Sequence, residues 1–412
     1  MCTLQEDAYS IVREAIEQNL PGPAVRKALV GYRPPRGRLV VVALGKAAWT
    51  MAQAASESLG DAIGNGIVIT KYHHVLGPID RFECFEAGHP VVDEASVRAT
   101  RRAQELVRDL GADDAVVLLV SGGGSALFEN PKIPLDELAD ISRQLLACGA
   151  SIEETNTIRK RLSHVKAGRF AELCAPAPVL TIALSDVLGD RLDTIASGPA
   201  CVDDATSHDA MRIARRLGLR LSDEAWEALE EETPRELTNV TTQIVGSVRL
   251  LTRSAAEAAA RCGYEPLVLT SSLDCEAREA GAFLGAIAKD HASDGRDLAF
   301  VVGGETIVHV RGDGLGGRNQ ELALSAAPAI AGLKNVGVVS VGSDGTDGPT
   351  DAAGGYVDGT TQDRLRDQGI DVVDSIGRSD SYHALEACGG LVKTGPTGTN
   401  VNDVAVVLIR GR

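Results

Sequence analysis

The sequence predicts an α/β protein of two domains, and three observations predict it. Short aliphatic runs alternate with amphipathic helical stretches along most of the chain, the pattern of a parallel sheet wrapped by helices. Aromatic residues are only 3% of the total, so the cores must be built from Val, Leu, Ile and Ala, as buried parallel strands are. The length of 412 residues exceeds what one hydrophobic core ordinarily holds.

From the N-terminus, helical periodicity covers residues 7–20, and RLVVVALG at 38–45 reads as a strand that ends in Gly45-Lys46 and runs into a helix. Strands are expected at 66–70 and 82–88, a helix at 93–110, and a continuous apolar strand at 115–120 that ends in SGGGS. Residues 151–173 read as helical and unusually basic, with Arg159, Lys160, Arg161, Lys166 and Arg169 close together. PVLTIALSD at 178–186 is a further buried strand, with Ser185 and Asp186 at its C-terminal end. Polar helices follow at 208–217 and 223–231. The acidic, Pro-containing stretch at 230–239 then reads as a linker, which sets the expected domains at 1–235 and 240–412. Beyond it the alternation resumes: a strand at 241–247, a helix at 249–262, strand PLVLT, a helix at 276–292, strand LAFVVGG, strand 336–345 and a closing strand at 403–409. The expected architecture is a Rossmann-like N-terminal αβα sandwich and a smaller C-terminal α/β domain.

Charge and cysteine usage narrow the function. A net charge of −16 with no basic patch argues against nucleic acid as a partner, so an anionic small substrate has to be met by a few placed cations. Eight cysteines (Cys2, Cys84, Cys148, Cys174, Cys201, Cys262, Cys275 and Cys388) show no C-x-x-C or zinc-site spacing and read as reduced thiols of a cytoplasmic protein. The first ten residues carry no signal-peptide pattern, and no apolar run is long enough for a membrane helix.

Ligands of open α/β sheets bind beyond the carboxyl ends of the strands, so the polar strand ends are the candidate sites. ALGKAA at 43–48 is no Walker A loop, having Val40 and Ala47 where that loop needs Gly and Ser or Thr, yet Lys46 can meet a phosphate as a point charge. LVSGGGSALF at 119–128 offers consecutive glycines that let peptide N–H groups converge on an anion. Asp186 reads either as a magnesium ligand or as an ordinary turn aspartate. Asp344, Asp347 and Asp351 stand in a Gly-rich loop without EF-hand spacing, a solvated acidic loop or a hard-cation site. GGETIVHVRGDGLGGRNQE at 303–321 contains the dinucleotide fingerprint G-x-G-x-x-G, but late in the chain and followed by Arg318 at a helix start. An arginine there suits a bound anion, and otherwise an acidic partner.

Taken together, the runs VVALGKAA, AGHPVVD, LLVSGGGSALF, ETNTIRKRLSHVKAG, LSDVLGD with IASGP, GGETIVHVRGDGLGGRNQE, VGSDGTDGPTDAAGG and KTGPTGTNVND resemble the glycerate 2-kinase family. The C-terminal half of that family carries a MOFRL-type domain, and its members were long labelled hydroxypyruvate reductases. One departure is Ala167-Gly168 where the family more often has Gly-Gly. The resemblance implies transfer of the γ-phosphoryl group of ATP to the 2-hydroxyl of D-glycerate, with Mg2+, in an interdomain cleft where Lys46 and Arg318 are the main functional residues. On that reading Ser121, Gly122, Gly123, Gly124 and Ser125, with Asp186, Ser197 and Gly198, bind the nucleotide, while Lys46 steadies the transferring group. Arg318 and Asn319 take the glycerate carboxylate or the transition-state charge, and Glu305, Asp344 and Asn400 complete the substrate side. Asp186, Glu305, Asp344 and Asp347 are the candidates for magnesium or for orienting the hydroxyl, and Asp403 joins Asn400 in the cleft wall. Partners are small molecules alone, with no nucleic acid or membrane, in a monomer or homodimer. The rival readings are an NAD(P)-dependent hydroxypyruvate reductase, for which His89 is the nearest acid/base candidate, and a non-catalytic binding module.

Overall fold

The aliphatic runs become strands of two six-stranded sheets in the computed structural model, which describes residues 3–411; Cys2 lies outside them. The first sheet contains β1 (Leu39–Leu44), β2 (Asn65–Lys71), β3 (Phe82–Ala87), β4 (Ala115–Val120), β5 (Val179–Leu184) and β6 (Val240–Gly246), in the order β3-β2-β1-β4-β5-β6. β1 to β5 pair in parallel. Every residue of β1 and β4 is buried, which is why both read as unbroken apolar runs. Val40, Val42, Leu44, Ile67, Val116 and Leu118 form the middle of this core. The strand order reverses between β1 and β4, since the chain leaves β1 for β2 and β3 and returns to the opposite flank for β4 and β5. Their carboxyl ends are therefore the crevice where ligands of such sheets bind.

The expected continuous helix at 151–173 is two helices, Ile152–Arg161 and Arg169–Cys174. The break falls where Ala167 (φ 53°) and Gly168 (φ 83°) both enter the left-handed region, which no helix can continue through. Together with Leu135–Ala147, Ser207–Leu217 and Asp223–Glu230, the first of these helices builds a separate apolar cluster around Leu138, Ile141, Ile158, Ile213 and Leu229.

The second sheet holds β7 (Glu265–Leu273), β8 (Leu298–Gly304), β9 (Val336–Gly342), β10 (Gly354–Asp358), β11 (Leu391–Val392) and β12 (Asp403–Ile409), in the order β11-β10-β9-β12-β8-β7. Only the β7–β8 pair is parallel. The final strand, β12, is inserted antiparallel between β8 and β9 in the middle of the sheet.

The expected division at 235–240 moves. The chain separates into one unit of Pro21–Val245 and another of Met1–Leu20 with Gly246–Arg412. β6, read as the first strand of the second domain, is instead the outer strand beside β5. The supposed linker ends stitched into the first unit, with the Asn239 amide donating to the carbonyls of Ala171 and Ala177 at 3.0 Å each. The first helix, Leu4–Gln18, packs against the helix Val248–Arg261 of the same unit. Its apolar stripe of Ile11, Val12, Ala15 and Ile16 is buried there, and Asp7 accepts from Tyr264 Oη at 2.7 Å and pairs with Arg410.

Candidate active site

At the switch point of the first sheet the turns after β1 and β4 interlock. The Lys46 N–H donates to the Gly122 carbonyl at 2.8 Å, and the Ala47 N–H donates to Ser121 Oγ at 3.0 Å. Gly45, at φ 108°, lies so close to Ser121 that a Cβ on it would fall 2.3 Å from the Ser121 carbonyl oxygen. The same close approach orders the glycine turn. A Cβ on Gly122 would sit 2.0 Å from Asp186 Oδ2, and one on Gly123 would stand 3.1 Å from both His89 and Lys46. A Cβ on Gly124 would press on Ala196. Ser125 Oγ lies 2.9 Å from Ser197 Oγ, and Ala196, Ser197 and Gly198 run consecutively through positive φ. The structure thus gathers Lys46, Ser121 to Ser125, Asp186, Ser197 and Gly198 around one turn.

Behind this turn stands a residue the sequence reading noted only as one of a basic run. Lys166 is fully buried, and its ammonium donates to the carbonyls of Ser125 and Phe128 at 2.9 and 3.2 Å while pairing with buried Glu129 at 2.6 Å. Burial pulls the Lys166 pKa down, against the opposing charge of Glu129. Its spacing among other cations hid it, because composition cannot tell a solvated lysine from a buried brace. His89 also joins the turn; burial and then the charges of Lys46 and Lys71 push its pKa down, so it stays neutral near pH 7 and does not serve readily as a proton donor.

In the second unit, Arg318 opens the helix Arg318–Ile330. Its Nε and Nη2 donate to Asp403 at 2.6 and 3.1 Å, and its Nη1 donates to Glu305 at 2.9 Å. The acids raise the Arg318 pKa against the effect of burial. Burial works to raise that of Asp403, and the guanidinium opposes it. Asp347 accepts the N–H groups of Asn319 and Gln320 at 3.1 and 2.8 Å, filling the helix N-terminus from outside the helix. Burial pushes the Asp347 pKa up to about 6 against the pull of those amides. Asn319 is 2% exposed, with its amide committed to Asp347 and its carbonyl oxygen to Ser340, so it does not offer a side chain to a substrate. Asp344 lines a cavity of about 570 Å³ with Thr306, Gly314, Gly317, Arg318, Glu321, Asp347 and Ser381. Glu305 is held by Arg318 and Asn402. Asn400 is an exposed turn residue that accepts from the Asn402 N–H and is not part of that cavity wall.

The fingerprint glycines serve close packing here. A Cβ on Gly312 or Gly314 would strike the Arg378 carbonyl, one on Gly316 would strike Ser381 and one on Gly317 would strike Asp347. The Gly314 and Leu315 N–H groups donate to Arg378 and Asp380. A pyrophosphate would have to displace both these bonds and the Asp347 carboxylate, so this is no nicotinamide-cofactor loop.

Comparison with known proteins shows the family. The family profile described as Domain of unknown function (DUF4147) matches residues 7–230, and that of the MOFRL family matches residues 298–403. D-glycerate 2-kinase of Thermotoga maritima is 50% identical over 99% of each chain. The chain belongs to the glycerate 2-kinase family. The family's solved glycerate kinase from the same organism superposes with a TM-score of 0.96 over 98% of this chain and 99% of that one. A relative in Agrobacterium vitis carries the name putative hydroxypyruvate reductase at 40% identity over 98% of this chain and 94% of that one. At residues 167–168 this chain is left-handed at both positions, with Ala167 in the first place. Among the described residues no helix is long and apolar enough to cross a membrane.

Proposed function

We propose that this chain transfers the γ-phosphoryl group of ATP to the 2-hydroxyl of D-glycerate, giving 2-phosphoglycerate and ADP. The observation that carries the reading is the Lys46 and Ser121–Ser125 cradle at the strand-order switch point of a chain half identical, over its whole length, to a D-glycerate 2-kinase. Phosphoryl transfer asks a protein for positioning and charge neutralisation rather than for a covalent nucleophile. The glycine turn presents peptide N–H groups to the nucleotide phosphates with no Cβ in the way, and Lys46 meets the transferring group. Ser197 and Gly198 hold the turn's far side through Ser125.

Among the described residues no three His, Cys, Asp or Glu side chains cluster as a metal site. That fits Mg2+ all the same, because kinases hold it through one or two carboxylates and the phosphates themselves. Asp186, which lies over Gly122, is the carboxylate we assign to it, and Asp344 is the second candidate. The ion when bound neutralises phosphate charge. Asp347 is committed to the helix amides. Arg318 directs three of its five N–H groups at Asp403 and Glu305, and the remaining two are the donors we assign to the glycerate carboxylate. No disulfide joins the seven cysteines of the described residues, which fits a reducing, cytoplasmic setting.

Incubation with ATP, Mg2+ and D-glycerate, followed by identification of ADP and of the phosphoglycerate isomer, tests the proposal. ADP with 2-phosphoglycerate is the expected result. The 3-isomer would overturn the assigned hydroxyl, and NADH oxidation by hydroxypyruvate without ATP would overturn the reaction.

A further inference from the structure

One buried ion pair has no part in the reaction described above. Lys166 and Glu129 are each 0% exposed and lie 2.6 Å apart, behind the glycine turn. For stability alone such a pair is a poor choice. Two charges taken out of water repay their desolvation only where further hydrogen bonds complete the site, and Glu129 Oε1 meets no donor among the described residues. Well-packed apolar side chains of similar volume often serve a core as well or better. What a buried pair can supply instead is a single fixed arrangement.

Lys166 has a segment to fix. Its ammonium donates to the carbonyls of Ser125 and Phe128 at 2.9 and 3.2 Å, in and just beyond the four-residue helix Gly124–Leu127 into which the glycine turn runs. One turn of helix does not hold itself in water, and its last carbonyls need donors from outside. Gly122, Gly123 and Gly124, whose peptide N–H groups we assign to the nucleotide phosphates, immediately precede Ser125 in the chain. The two residues after Lys166 hold the other flank. Left-handed Ala167 and Gly168 donate their N–H groups to the carbonyls of Ser197 and Gly198 at 3.1 and 2.7 Å. Three consecutive residues therefore clasp both sides of the turn, and the 2.9 Å approach of Ser125 Oγ to Ser197 Oγ closes the ring.

We propose that Lys166 is a positioning residue for phosphoryl transfer: clamped by Glu129, it fixes the carbonyls of Ser125 and Phe128 and so sets where the amides of Gly122 to Gly124 meet the phosphates. Being fully buried, it touches no substrate. The proposal rests on the kinase reading above and adds to it the group that aims the turn.

Calorimetric titration with ADP, steady-state kinetics and thermal melts on three variants test it. Lys166→Met leaves Glu129 unpaired and should lower Tm by about 10 °C. Lys166→Met with Glu129→Met removes the orphaned charge, and Tm should return to within about 3 °C of wild type. The turn stays unaimed in that apolar pair. Its ADP dissociation constant and KM for ATP should rise about tenfold and its kcat should fall about tenfold or more, with the KM for glycerate within about twofold. Lys166→Gln with Glu129→Gln restores a neutral donor and should regain part of the ADP affinity. An apolar pair with wild-type Tm, ADP affinity and kcat would overturn the proposal, as would kinetic losses that merely follow Tm across the three variants. Failure of both double variants to fold would overturn it too, by making the ion pair a requirement of the core. Failure of the kinase reading is visible separately, as wild-type protein that binds ADP but forms no phosphoglycerate.

Discussion

Arg318 is held by two acids, one of them, Asp403, buried, and this changes what its removal should do. From sequence alone Arg318→Ala should lower kcat/KM for glycerate severely at little cost in stability. With Asp403 left unpaired, a stability loss of about 2–4 kcal/mol is expected as well, discounted because the arginine is one-third exposed. Urea melts measure that loss. Arg318→Ala with Asp403→Asn separates the roles, since recovered stability without recovered kcat/KM would leave the arginine its part in binding glycerate. Lys46 has no such entanglement: Lys46→Ala should lower kcat/KM by about 100-fold or more, while stability stays within about 0.5 kcal/mol. Ala167, in the left-handed region without being glycine, should gain about 0.5–1 kcal/mol as Ala167→Gly in the same melts. At this scale Lys46 and the Ser121–Ser125 turn were legible, because strand ends announce themselves by an apolar run meeting glycine and a polar residue. Lys166 and the pairing of Arg318 with Asp403 were not, since partners 37 to 85 residues apart in sequence leave no local pattern.

Among elements, the helix Arg318–Ile330 depends on an acid that is not its own. Asp347 stands in for an N-cap, and its raised pKa gives a pH signature. A carboxyl with a folded pKa near 6 and an unfolded one near 4 holds its proton more tightly when folded. Its contribution to stability is therefore complete below about pH 4 and declines as pH rises through 6, by about 3 kcal/mol in all. Denaturant melts of wild type and Asp347→Asn across pH 4–7 should show the wild type losing ground to the variant with rising pH, and parallel profiles would refute the assignment. The parallel strands β1 to β5 were readable as buried runs. β10 escaped notice because its opening Gly354 and Gly355 have low strand propensity. They are needed there, since a Cβ on Gly354 would lie 1.9 Å from the Ser340 carbonyl oxygen and one on Gly355 would meet Leu385. The fingerprint match carries little information for a related reason: glycines required for close packing and glycines required for phosphate approach look the same in sequence.

For the whole molecule, the α/β class and the presence of two units were legible, and the division between them was not. Hydrophobic periodicity shows that residues 4–18 bury a stripe without showing against which sheet, and a Pro-containing acidic stretch need not be a boundary. A chain beginning at Pro21 should keep amide-exchange protection in β1 to β5 and lose it in Val248–Arg261 and β12. The unit it depletes should be destabilised by about 5 kcal/mol or more, from the exposed seat of Ile11, Val12 and Ile16 and the loss of Asp7 as a partner of Tyr264 and Arg410. Residues 21–245 are continuous, so that unit can fold while synthesis proceeds. The first helix has no such option, because its partner helix starts at Val248 and the central strand of its sheet is the last one made. At about 5–20 residues per second, an amphipathic segment leaves the ribosome ahead of its seat and stays without it for roughly tens of seconds, in reach of chaperones and of other nascent chains.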